Sequence, residues 1–103
     1  MGVVDSDLRL SALRALLGTI VPAVRLVKVR RDGQRILFTV VTDVPLGEDA
    51  AEALSIAGGE ILADFPDCDF EERFVVSTDP LPREDILEEG WIYQRAEPQS
   101  LII

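Results

Sequence analysis

The sequence predicts an α+β fold, a two-layer sandwich with two helices on one face of a four-stranded, mainly antiparallel sheet. Apolar residues recur at helical spacing in residues 5–18 and from about residue 45 to 64. Residues 23–30 and 34–43 are rich in Val, Ile, Leu, Phe and Thr, and residues 69–77 and 91–96 also fit strands. The resulting α-β-β-α-β-β order equals a ferredoxin-like unit with its first strand moved to the end. This permutation predicts the sheet order 3-4-2-1 with the Trp91 strand central; a plain meander is the alternative.

The first helix is predicted from a stripe of apolar side chains at three- and four-residue steps. The stripe consists of Leu10, Leu13, Leu17 and Ile20. Acidic and hydroxyl residues just before it can cap the helix, and Gly18 is a plausible stop. We therefore expect this stripe to face the core.

Asp32-Gly33 lies between the first two strand segments and predicts a tight hairpin, because glycine readily takes the positive φ angles that such turns require. The second helix has a stripe made of Ala50, Leu54, Ala57, Ile61 and Phe65. Gly58-Gly59 weakens this helix by roughly 1 kcal/mol per glycine relative to alanine. Alternatively, these small residues allow the helix and the sheet to approach closely.

Length and composition indicate a single domain over residues 1–103 and exclude several function classes. The net charge of −9 is uneven, because residues 1–42 carry +4 and residues 43–103 carry −13. An acidic surface repels phosphate backbones and anionic lipid, so we expect neither nucleic acid nor membrane as a partner. No apolar run approaches the roughly 20 residues of a membrane span. With no signal-like start and a single cysteine, the expected location is the cytoplasm.

Catalytic and metal sites are poorly supported by the residue types. The chain has no histidine, which removes the commonest general base and metal ligand. Asp67, Asp69 and Glu71 have the spacing that begins a calcium-binding EF-hand loop, but its glycine and closing glutamate are replaced by Glu72 and Thr78. Cys68 lies between two aspartates that disfavour a thiolate, which indicates an inert thiol. We predict no catalytic residue, no metal and no cofactor.

The stretch around these acids is instead predicted to be a strand with one negatively charged row. Asp67, Asp69, Glu71 and Arg73 alternate with a bulkier row in which Glu72 is out of place. Either a bulge interrupts the strand at Glu72 or this residue reaches the edge of the sheet. The row is either a solvated face or a surface for a basic partner. The second interpretation gains from the acids that follow, which are Asp79, Glu84, Asp85, Glu88 and Glu89.

The cations of the first hairpin favour an internal role. Arg25, Lys28, Arg30, Arg31 and Arg35 lack the interleaved aromatic residues that are typical of nucleic-acid binding. We expect them to offset the acidic half of the chain or to form an oligomer contact.

Three phrases resemble a known kind of protein. The element order, EILADFPD followed by DFEERFVVS, and the ending GWIYQRAE are similar to small bacterial immunity proteins encoded beside polymorphic toxins, of which the contact-dependent growth inhibition type is an example. The resemblance implies a non-catalytic inhibitor of a cognate toxin. A nuclease toxin would be basic, and the acidic residues named above would cover its substrate surface, with Trp91 or Tyr93 as an apolar anchor.

Two other function classes stay open. A small structural or regulatory subunit would dimerise through the hairpin or through the apolar end of the chain, residues 100–103. An enzyme is the third class and is disfavoured by the missing histidine.

Overall fold

The computed structural model describes residues 6–81 and 91–95. The elements are α1 (Ser6–Ala15), β1 (Val24–Asp32), β2 (Arg35–Thr42), α2 (Glu48–Asp64), β3 (Asp69–Val76) and β4 (Trp91–Gln94). The α+β class is confirmed. The apolar end of the chain, residues 100–103, and the four acids between residues 84 and 89 lie outside the described residues.

The sheet differs from the predicted one in both order and direction. Its order is β3-β2-β1-β4, with β1 antiparallel to β2 and β4 and with β3 parallel to β2. The sheet is therefore mixed, and the order 3-4-2-1 and the meander are both wrong. The reason is that α2 returns the chain to the starting end of β2, which permits parallel pairing over all eight residues of β3. The Trp91 strand lies at an edge instead of the centre.

The core lies between the two helices and one face of the sheet. Alternate residues of β2, which are Ile36, Phe38 and Val40, are fully buried and pack against Leu54 and Ile61 of α2 within one cluster. The α2 stripe is thus confirmed at its centre, while Ala50 and Phe65 are half-buried. The hairpin is also confirmed, with the two-residue loop at Gly33 and Gln34 and a φ of +64° at Gly33.

The predicted stripe of α1 is wrong. Leu10, Leu13 and Leu17 are 52%, 42% and 79% exposed, and Ile20 is half-buried. The buried side of this segment consists of Leu8, Ser11, Ala12 and Leu16. Both sides are apolar, and the side with serine and alanine faces inward because small residues let α1 approach α2, where the Ser11 hydroxyl donates to Asp64 at 2.5 Å.

Gly58 and Gly59 differ in their surroundings. A Cβ atom at Gly58 would lie 3.0 Å from the Phe70 ring, whereas one at Gly59 would meet nothing within 4 Å. Close approach of helix and sheet is therefore confirmed at Gly58. This contact fixes α2 beside β3, which matters for the surface described next.

Candidate partner-binding surface

The outer row of β3 is mixed in charge, because Arg73 follows Asp69 and Glu71. Glu71 accepts hydrogen bonds from Arg35 at 2.5 Å and from Arg73 at 2.7 Å. The hydrogen bond from Arg73, followed by the positive charges of Arg35 and Arg73, lowers the pKa of Glu71 despite an opposing contribution from burial. The charge of Glu71 is thus compensated within the chain, and only Asp69 of this strand row keeps an exposed carboxylate.

This pairing predicts a specific pH dependence. A carboxyl whose pKa is lower in the folded state stabilises the fold above its unfolded pKa, and this contribution disappears as the pH falls through the folded pKa. We expect Glu71→Gln to be less stable than the parent at neutral pH and to show a smaller loss of stability on acidification through this range. Urea denaturation across the acidic range measures both effects. A parent and a variant with parallel pH profiles would contradict the assigned pairing.

Glu72 lies on the side of the sheet opposite to Glu71. The register of β3 against β2 runs without a shift from Asp69 to Val76, so β3 has no bulge, and Glu72 reaches solvent because β3 is an edge strand. Its carboxylate accepts a hydrogen bond from the Ser55 hydroxyl of α2 at 2.9 Å. The acids of the β3 segment are therefore divided between the two sides of the sheet.

The other residues predicted to bind the partner lie outside β3 itself. Asp67 is exposed in the turn before β3, and Asp79 is exposed in the loop after it. Trp91 begins β4 at the opposite edge of the sheet, so three strand spacings, roughly 14 Å, separate its backbone from β3. Tyr93 packs against the core and is half-buried. Glu84, Asp85, Glu88 and Glu89 lie outside the described residues.

Helix α2 is a second acidic element that was not among the predicted site residues. Its polar residues include five carboxylates and no Lys or Arg, and Glu48, Asp49, Glu52 and Glu60 are exposed. Ile56 is 56% exposed and lies four residues from both Glu52 and Glu60, so it is an apolar residue between two acids on the solvent side. The signal was available in the sequence, since a helix with charges of one sign is unusual on a merely solvated face.

The two acidic elements form one surface. Contacts of Gly58 with Phe70 and of Ser55 with Glu72 show that α2 runs antiparallel to β3, which brings the first turns of α2 towards the end of β3. Phe74 and Val76 lie there in the helix-facing row and are 39% and 53% exposed. We define the α2–β3 surface as Glu48, Glu52, Glu72, Phe74 and Val76.

Three cations of the first hairpin make contacts within the chain. Arg25 is 2% exposed and donates to the Ser77 carbonyl at 2.6 Å. Arg35 binds Glu71, and the guanidinium of Arg31 stands 5.5 Å from the Phe65 ring centre. The internal role predicted for these residues is confirmed at Arg35.

The described residues show no arrangement suited to catalysis by a metal. Within residues 6–81 and 91–95, no three His, Cys, Asp or Glu side chains are grouped so that they could hold a metal ion. Cys68 is buried in the core cluster as a free thiol, in agreement with an inert role. In the same part of the chain, no helix is long and apolar enough to cross a membrane.

These features define a class, namely a small acidic α+β protein with a surface suited to binding another macromolecule. The family model described as MafI2 immunity protein matches residues 5–97. The chain belongs to the MafI2 immunity protein family. This confirms the predicted resemblance to small bacterial immunity proteins of the polymorphic toxin type. A search of the curated proteins found no match. Membership implies a non-catalytic inhibitor with a cognate toxin as its partner.

Proposed function

We propose that this protein neutralises a basic toxin domain, a nuclease, by binding it with one-to-one stoichiometry and covering its substrate surface. The single observation that supports this mechanism is the set of exposed carboxylates on α2 beside the exposed residues of β3. A nuclease needs a cationic surface to hold its phosphate substrate, and an array of fixed carboxylates is complementary to that surface. Inhibition by occlusion needs no catalytic group in the inhibitor. The proposed site of action is the cytoplasm.

The proposed contact combines acids of the β3 segment with residues of α2. Asp67, Asp69, Glu72 and Asp79 remain proposed partner-binding residues, and Glu48, Glu52 and Ile56 of α2 are added. Ile56 takes the place of Trp91 as the apolar anchor near the acids, because buried apolar residues at an interface centre contribute most of the binding energy. A contact at Trp91 as well would require a partner that spans the sheet. Glu71 is not proposed to contact the partner, since its charge is already compensated.

The test is the affinity of the purified chain for the toxin domain encoded beside it, measured by calorimetry at low and high salt. We expect tight one-to-one binding that weakens as salt rises, because exposed charges are screened over about 8 Å at physiological ionic strength. Lysozyme, which is also basic, is a suitable control for nonspecific attraction. Absence of binding would contradict the immunity function, whereas tight binding that ignores salt would contradict the electrostatic mechanism alone.

The second candidate is a homodimeric structural subunit, and three exposed leucines near the start of the chain favour it. Leu10 and Leu13 lie on α1 and Leu17 lies in the turn after it. Sedimentation of the isolated chain tests this role. A tight dimer that Leu17→Glu dissociates would support it, whereas a monomer at micromolar concentration would contradict it.

A further inference from the structure

The outer edge of β3 is long and regular. Its eight residues form one side of a complete ladder with β2, and within the described residues β2 is its one strand partner. Natural edge strands are usually protected against pairing by charged side chains, proline, bulges or short length. β3 has no proline and no register shift, and its protection is charge, which includes Glu72 in the helix-facing row. By contrast, β4 at the other edge has four residues.

The direction of each backbone group along β3 follows from the hydrogen bonds at its two ends. The Asp69 amide donates to the Gln34 carbonyl at 2.6 Å, and the Ser77 amide donates to the Thr42 carbonyl at 2.8 Å. In a parallel ladder, alternate residues direct both their amide and their carbonyl to the same neighbour. Odd-numbered residues therefore bond to β2, and the amides and carbonyls of Phe70, Glu72, Phe74 and Val76 point outward.

Resting on the proposed function, we infer that the toxin binds by adding one of its own β-strands to the outer edge of β3. Main-chain hydrogen bonds would supply affinity in this mode, and alternate side chains would supply specificity. The helix-side row of the added strand would meet Phe74 and Val76, which offer apolar contact, and Glu72, which offers charge. The strand edge thus continues the α2–β3 surface into a single binding site.

The charge around the outer edge of β3 limits which strand can pair with it. The whole chain carries −9, and Glu48 and Glu52 of α2 flank the edge, so a second copy of this chain would bring like charges together. A buried Glu72 beside an apolar neighbour would also be costly. The inferred occupant is therefore a strand with Lys or Arg opposite Glu72 and apolar residues opposite Phe74 and Val76. Such a requirement excludes purely apolar strands and limits self-association.

Proline substitution tests the inference, because it removes one outward amide without removing a hydrogen bond to β2. Glu72→Pro should bind the neighbouring toxin domain about 10- to 100-fold more weakly than Glu72→Ala. The alanine variant loses the same carboxylate and the same contact with Ser55 but keeps the amide. Val76→Pro against Val76→Ala is a second pair, and thermal unfolding establishes that each variant is folded.

The outcomes separate this inference from the proposed function. If folded proline variants bind like their alanine partners, strand addition is wrong while neutralisation stands; if the parent chain does not bind, the proposed function itself fails. A dimer of the isolated chain that Glu72→Pro dissociates would assign the edge to a second copy and overturn the inference. Should both proline variants unfold, amide exchange of the parent decides. Slower exchange at Glu72, Phe74 and Val76 in the complex is expected, and unchanged exchange would overturn the inference.

Discussion

Replacement of Glu52 by lysine is expected to weaken toxin binding at least about tenfold, since like charges brought together across an interface cost several kcal/mol. Glu52 is exposed on the side of α2 towards the β3 edge. The lower affinity should come mainly from a slower association rate, because exposed charges steer the encounter. The association rate of the variant should also depend less on salt. Stopped-flow association at several salt concentrations measures both.

Glu60→Lys is the matched control for this prediction. Glu60 is exposed on the same helix one turn beyond Ile56, and it borders the groove between α2 and α1, at the margin of the proposed contact. Glu60→Lys changes the net charge by the same amount as Glu52→Lys. If the position of the charge governs binding, the toxin affinity of Glu60→Lys should stay within about threefold of the parent. Equal losses for the two variants would show that net charge alone matters and would contradict the assignment of the α2–β3 surface.

Leu16→Ala is expected to lower the free energy of unfolding by about 2–5 kcal/mol, the usual range for truncating a buried leucine. Leu16 is 5% exposed and belongs to the core cluster, whereas the adjacent Leu17 is 79% exposed. Leu17→Ala should change the free energy by no more than about 0.5 kcal/mol. Chemical denaturation of the two variants provides the comparison.

The order of the two effects decides which side of the first helix faces the core. The apolar spacing alone favoured Leu17, and the structure favours Leu16. A larger loss for Leu17→Ala would restore the stripe expected from the sequence and would contradict the packing of α1 on α2. A large loss for both variants, together with concentration-dependent unfolding, would instead indicate a dimer that buries Leu17.

The elements of the fold were predictable where local chemistry determines them. The bounds of α2 follow from its stripe of Leu54, Ala57 and Ile61, and the hairpin follows from Gly33, whose positive φ is local to the turn. The strand order was not predictable in this way. It depends on pairing between β2 and β3, whose residues are more than 30 positions apart, and several strand orders satisfy the same alternation.

The candidate site was partly predictable for a related reason. Exposure of Asp67 and Asp69 follows from their polarity and from the alternation in the sequence, and the structure agrees. Glu72 is out of place in that alternation and is exposed because β3 is an edge strand. The compensation of Glu71 by Arg35 could not be read from the sequence, because the two residues are 36 positions apart and meet only through the ladder. The negative charge of α2 can be read from its sequence, but no catalytic or metal-binding spacing marks these acids as a site.

The most direct test of the central claim is a titration of the neighbouring toxin's activity with the purified chain. If this protein is a stoichiometric inhibitor that covers the substrate surface, activity should fall linearly to background at one molar equivalent, and Glu52→Lys should need a clear excess. Added substrate should delay inhibition, because both compete for the same surface. Toxin activity that persists at a large molar excess of the parent chain would contradict the claim.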